Sequence, residues 1–180
     1  MKTISITLLV LLFLVGFMPR KAESKKEDLP NFAKVNDKLY RGGQPTSDGI
    51  KELAKMGIKT VVNFRDSDDK MQREKELAEE NGMKFFNPHL SNWFKPKDKD
   101  IEEILKIIQN PENQPVFIHC KRGADRTGTV TAVYRMKIEG WDNKQANEEA
   151  KKYGIGWWQF WMKDYINDYY DKLQKEKGKK

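Results

Sequence analysis

The chain's single cysteine, Cys120, directly follows His119 and stands six residues before Arg126, and this spacing is where chemistry can first be read. Val116-Phe117-Ile118 is short, apolar and rich in β-branched residues, which predicts a buried strand; Thr129 to Ile138 predicts a helix. The polar residues between them therefore form a strand-to-helix turn, with Cys120 at its mouth. A loop entering a helix aims unpaired backbone N–H groups and the positive end of the helix dipole at one point. Such a point suits a phosphate dianion and favours the thiolate form of a cysteine. Arg126 can hold two oxygens of one phosphate through its planar fork. Gly123 and Gly128 permit the tight turn and the close approach of backbone. Lys121, Arg122, Gly123, Ala124, Asp125 and Arg126 are the expected phosphate-binding residues, and Cys120 is the expected nucleophile. The alternative is a cysteine buried for packing beside an arginine that caps the turn, but a cationic, glycine-containing loop is a poor way to build a core.

His119-Cys120, five residues, then Arg126-Thr127-Gly128 resembles the signature of the cysteine-dependent protein tyrosine phosphatase superfamily. Tyr40-Arg41-Gly42-Gly43-Gln44-Pro45, followed by Gly57-Ile58-Lys59-Thr60-Val61-Val62-Asn63-Phe64-Arg65, is similar to the opening of its bacterial dual-specificity members, which extends the likeness well beyond one loop. The resemblance implies that Cys120 attacks phosphorus and forms a phosphocysteine that water then hydrolyses. Arg126 and the loop amides would hold the equatorial oxygens as charge shifts onto them. Thr127 would donate its hydroxyl to the thiolate and assist the second step. His119 would orient its neighbours rather than act as a base. No metal or other cofactor is expected, since two histidines and one cysteine do not make a ligand cluster.

The expected general acid departs from the family pattern. Dual-specificity phosphatases carry an aspartate on a separate loop roughly thirty residues before the cysteine, whereas His89-Leu90-Ser91-Asn92-Trp93 has no carboxylate. Myotubularins and some bacterial secreted phosphatases have an aspartate at the position of Asp125, where it is assigned as the acid. Asp125 is thus the first candidate, then Asp98, then Asp66. Two of them have a plainer role available: Asp125 as an ion-pair partner that positions an arginine, Asp98 as a helix cap.

The elements that must hold these residues alternate between strand and helix. Lys38 to Pro45 reads as a strand and turn. Thr46 or Ser47 caps a helix through Lys55 that Gly57 ends, and Ile58 to Phe64 is a buried strand. Asp66 to Asn81 is a solvated helix stopped by Gly82, and Met83 to Phe86 is the next strand. After the loop Asn87 to Pro96, Asp98 or Asp100 caps the helix Ile101 to Gln109. Asp142 caps the helix after the catalytic one, and a last helix covers about Trp157 to Lys172. The fold class is α/β, a central mostly parallel sheet flanked by helices on both faces. Ligands in such sheets bind beyond the C-terminal strand ends, which brings the Cys120 loop, Arg65-Asp66 and the 87–96 loop to one rim.

Ile4 to Met18 is an apolar run behind Lys2, with Ala22-Glu23-Ser24 as a small-x-small cleavage site, so residues 1–24 read as a signal peptide and the protein as exported, periplasmic or extracellular; an uncleaved membrane anchor is the alternative. Residues 25–29 read as a linker, 30–174 as the phosphatase domain and 175–180 as a basic tail. The formal charge is +7, and removing residues 1–24 with their three cations and one anion leaves +5. That balance agrees with anionic substrates without identifying them. Lys121 and Arg122 could select highly phosphorylated ligands, although solvated charges at a basic site are the simpler account. Trp157, Trp158, Phe160, Trp161, Tyr165, Tyr169 and Tyr170 raise the question of membrane contact. The four-residue spacing of Trp157, Trp161, Tyr165 and Tyr169 instead predicts one packed helix face. The resulting expectation is an exported dual-specificity or tyrosine-type phosphatase acting on a phosphorylated protein, phosphoinositide or inositol phosphate, with no nucleic acid partner. A phosphoinositide or inositol phosphate phosphatase of the same chemistry is the nearest alternative, and a phosphate-binding pseudophosphatase the more distant one.

Overall fold

The computed structural model describes residues 27–178; the expected leader lies outside the described residues. Strands β1 (Ala33–Asn36), β2 (Leu39–Gly42), β3 (Thr60–Asn63), β4 (Lys84–Phe86) and β5 (Val116–His119) form one sheet in the order β1-β2-β5-β3-β4. β2 and β3 flank β5 in parallel and β4 continues parallel to β3, so β1 alone runs antiparallel. The reason is connection length. β1 and β2 are joined by a two-residue hairpin, whereas the parallel strands are joined through helices.

Side-chain alternation along the strands sends the core to two faces. Leu39, Val62, Phe64, Val116 and Ile118 pack with helices α3 (Asp98–Gln109), α4 (Asp125–Ile138), α5 (Asn143–Lys152) and α6 (Phe160–Lys177). Val61 and Phe117 face the other way, onto helices α1 (Ser47–Lys55) and α2 (Asp69–Glu80) through Ile50, Leu53 and Ala78. The expected α/β architecture with both faces covered is therefore present.

Several boundaries differ from the expectation. Thr46 caps α1 by accepting from the Gly49 N–H, and Gly57 follows it at φ +81°, as expected. The last helix starts at Phe160 rather than Trp157 and runs on to Lys177, through much of the expected tail. α3 starts at Asp98; its cap position is Lys97, with no side-chain hydrogen bond, so neither Asp98 nor Asp100 serves there. α4 starts at Asp125, inside the signature, so Arg126 to Gly128 form its first turn instead of a loop. The end of the expected linker belongs to the fold. Leu29 is buried and the Asp28 carbonyl accepts from the Thr46 N–H at 3.0 Å. β1, whose residues are half-buried or exposed at the sheet edge, has too weak an alternation to be read from sequence.

Candidate active site

The sheet register determines what surrounds Cys120. His119 ends β5 on the same face as Phe117, whose ring stacks on its imidazole at 5.5 Å between centroids. That face meets α2, and there His119 Nε2 lies 2.7 Å from Glu74 Oε1, both side chains being fully buried or nearly so. Asn63 of β3 donates to the other Glu74 oxygen at 2.7 Å. The result is a buried Asn63–Glu74–His119 chain beside Cys120. The sequence reading treated α2 as a solvated helix and missed Glu74. The available signal was its position four residues before the apolar Ala78, on the same helix face.

Cys120 itself is 2 % exposed. The turn after it rests on the glycine turn that follows β2. Gly123 has φ +71°, and a Cβ there would meet the Gly42 carbonyl carbon at 2.4 Å, so this position requires glycine on both counts. Gln44 N–H donates to the Lys121 carbonyl at 3.2 Å, and Arg41 Nη2 to the Gly123 carbonyl at 2.7 Å. Arg41 is a second residue that the sequence did not assign. It is 1 % exposed, lies 4.0 Å from the Tyr153 ring centroid, and burial pushes its guanidinium down to about 10. A buried cation directly behind the loop adds positive potential where the anion must sit.

At the other end of the turn, Ala124 makes no side-chain cap to α4. The first-turn amides of Asp125, Arg126 and Thr127 have no intrahelical acceptor and are available to a phosphate. Thr129 and Thr131 spend their hydroxyls on the carbonyls of Asp125 and Thr127, four residues back. Thr127 Oγ1, by contrast, is buried with no hydrogen-bond partner among the described residues, and so is Arg126 Nε. Arg126 Nη1 donates to the carbonyls of Phe64 at 3.1 Å and Leu90 at 3.3 Å. One edge of the guanidinium is thereby fixed to two loops of the rim, leaving Nε among the donors not spent on the protein.

The three acid candidates stand in different surroundings. Asp125 is buried; Oδ1 accepts from the Gly156 N–H at 2.8 Å and Oδ2 from Arg122 Nη2 at 2.7 Å. Asp98 accepts from Tyr165 at 3.0 Å and Lys172 at 2.8 Å, and the hydrogen bond from Lys172 holds its carboxyl below the usual carboxylate range. Asp66 is exposed and lies 2.7 Å from His89 Nε2, beside the two carbonyl-bearing segments that Arg126 holds. Of the cationic loop residues, Arg122 is bound to Asp125 and lies over the Trp158 ring, while Lys121 is exposed. Among the described residues no group of His, Cys, Asp and Glu is arranged to hold a metal ion.

A family model described as a dual-specificity-type protein tyrosine phosphatase fused to NAD+ kinase matches residues 17–162. The chain belongs to this phosphatase family. Similar proteins within the cysteine-dependent superfamily include the dual specificity protein phosphatase TpbA of Pseudomonas aeruginosa, 29 % identical over 127 residues, covering 70 % of this chain and 56 % of TpbA. An inositol diphosphatase of Oryza sativa subsp. japonica is 34 % identical over 116 residues, covering 62 % of this chain and 55 % of the relative. The match thus spans little more than half the length of either relative. The crystal structure of a Cys-to-Ser form of TpbA in complex with phosphotyrosine superposes with a TM-score of 0.65 at 26 % identity, over 76 % of this chain and 82 % of that one. The fold expected from the phosphatase signature is confirmed.

Asp125→Asn separates the two roles of that carboxylate. Both of its oxygens already accept hydrogen bonds, so the expected result is a uniform loss of about tenfold or less on every substrate, through a displaced Arg122 and Gly156. A general acid would give a different pattern. The loss would reach about 10²-fold or more on alkyl phosphates and far less on p-nitrophenyl phosphate, because a good leaving group hardly needs the proton. Kinetics on both substrate types decide, and Asp66→Asn in the same assay examines the rim pair.

Proposed function

We propose that this protein hydrolyses phosphate monoesters through a phosphocysteine intermediate. The observation that carries the reading is that Cys120 stands between the end of β5 and the uncapped start of α4, in whose first turn Arg126 Nε and the Thr127 hydroxyl are buried and unpaired among the described residues. In the first step the Cys120 thiolate attacks phosphorus, the ester oxygen leaves with a proton from a nearby acid, and Arg126 with the α4 amides holds the three equatorial oxygens. In the second, water attacks the phosphocysteine and gives its proton to the conjugate base of that acid, the P–S bond breaks, inorganic phosphate departs, and both thiolate and acid are restored. Because both oxygens of Asp125, the acid that the motif suggests, already accept hydrogen bonds, the Asp66–His89 pair at the rim is the favoured source of that proton and Asp125 the alternative.

Phosphotyrosine and phosphoserine or phosphothreonine in proteins are the first substrate class, supported by the phosphotyrosine bound to TpbA. One feature favours a second reading, toward inositol phosphates or phosphoinositides. A cleft of about 380 Å³ between α1 and α2 is lined by Arg65, Lys70 and Arg73 and includes Gln44, which contacts the Lys121 backbone. Further phosphates of a polyphosphate would meet three cations there. Parallel kcat/KM measurements on phosphotyrosine peptide, phosphoserine peptide and an inositol phosphate and phosphoinositide panel test both readings, with inhibition by vanadate and indifference to EDTA expected. No turnover of any of them would leave a phosphate-binding pseudophosphatase. Export rests on Ile4 to Met18 and the Ala22-Glu23-Ser24 site. It predicts a mature protein starting at or close to Lys25, which N-terminal sequencing checks; the intact run retained with membranes would indicate an anchor.

A further inference from the structure

The expected packed face of aromatics is only half present. Tyr165 and Tyr169 are buried and Trp161 is partly so, but Trp157 is 74 % exposed, ahead of α6, and Trp158 and Phe160 are also exposed. Trp93 and Phe94 are exposed to the same degree as Trp157, so five of the six large exposed apolar side chains among the described residues lie on two segments. Both segments are tied to the signature loop. Leu90, three residues before Trp93, accepts from Arg126, and the N–H of Gly156, directly before Trp157, donates to Asp125. Arg122 of the loop lies 5.4 Å from the Trp158 ring centroid. Two aromatic segments are therefore joined to the signature loop, one through Leu90 and one through Gly156 and Trp158.

Cations accompany them. Lys95, Lys97 and Lys99 follow Trp93 and Phe94, Lys121 and Arg122 stand on the signature loop, and Lys163 lies 6.0 Å from the Phe160 ring centroid. Of these, Lys95, Lys99 and Arg122 form ion pairs with Asp168, Glu103 and Asp125, and Asp98 is paired with Lys172, which leaves the exposed Lys97 and Lys121 outside any ion pair among the described residues. Three of these aromatics, Trp93, Phe94 and Trp157, are each about three-quarters exposed. Exposed indole and phenyl rings among lysines match the headgroup layer of an anionic membrane, where the rings enter the acyl boundary and the ammonium groups meet lipid phosphates. No helix among the described residues is long and apolar enough to cross a membrane, so the contact would be interfacial.

We infer that the aromatic rim formed by Trp93, Phe94, Trp157, Trp158 and Phe160 docks the mouth of the active site onto an anionic lipid surface. Docking does not depend on turnover and can be measured without it. The test uses the full chain and a variant with Trp93→Ser, Phe94→Ser and Trp157→Ser, all exposed positions outside the catalytic loop. Binding is read by sedimentation with vesicles of phosphatidylcholine plus phosphatidylserine, and with vesicles of phosphatidylcholine alone. The wild type should partition onto the anionic vesicles, with a blue shift of its tryptophan emission, and the variant should lose roughly tenfold or more of that partitioning. Its melting temperature and its turnover of soluble p-nitrophenyl phosphate should be unchanged. Equal vesicle binding by wild type and variant would overturn the inference by placing attachment elsewhere in the chain. So would absence of wild-type binding, or a variant defect confined to phosphoprotein substrates, which would assign the rim to a protein partner.

Discussion

Cys120→Ser is expected to abolish turnover, with a loss of at least about 10⁴-fold on any phosphate monoester, because a serine hydroxyl in this setting is a far weaker nucleophile than a thiolate. The substitution is nearly isosteric at a site that is 2 % exposed, so the loop should persist. In the proposed site the α4 amides and Arg126 supply the oxyanion cradle, and the sulfur does not. Vanadate or phosphate binding should therefore remain measurable by calorimetry or by an upward shift of the melting temperature. Turnover near that of the wild type would refute the covalent mechanism. Loss of both turnover and oxyanion binding would show that the sulfur is needed to shape the cradle.

Arg126→Lys should lower kcat/KM by about 10²–10³-fold, equivalent to about 3–4 kcal/mol of transition-state stabilisation. The structure gives two reasons. Arg126 Nη1 bonds to the Phe64 and Leu90 carbonyls while the buried Nε is unspent, so one planar group braces the rim and keeps a donor free. A lysine ammonium keeps the charge but cannot span these positions with a fixed fork. Released from Arg126, the segment around Leu90 should loosen, and limited proteolysis of the 87–96 loop should speed up alongside the kinetic loss. A loss of only a few-fold would mean that the cradle is held chiefly by the amides of Asp125, Arg126 and Thr127.

Asn63, Glu74 and Arg41 show where pattern reading from the sequence stops. Glu74 lies in a run of charged residues, Asp69 to Glu80, whose composition signals solvent. It is buried because β5 places His119 on the face that α2 covers, and a buried imidazole needs an acceptor. Arg41 sits in a strand between Tyr40 and Gly42, and only the fold brings Gly123 and Tyr153 around it. The last helix is a case of the opposite kind. Four-residue spacing correctly predicts that Tyr165 and Tyr169 pack, yet Trp157 continues the spacing on the exposed turn before α6. Periodicity carries no information past the end of the helix that generates it.

The sequence alone carried the family's signature, a cysteine and an arginine six residues apart around glycine, set between a strand and a helix. It also determined the alternation that makes a parallel α/β sheet. Those features are local, because backbone geometry, periodicity and the orphan amides of a helix start depend on near neighbours along the chain. Tertiary structure decided which groups meet across the sheet. It buried Glu74 against His119 and Arg41 behind Gly123, engaged both oxygens of Asp125, paired Asp66 with His89, and tied two exposed aromatic segments to the same loop. Such contacts join residues that are up to 82 positions apart, as Arg41 and Gly123 are. Their partners are selected by strand order and by the face each helix covers, and no short window of sequence contains that information.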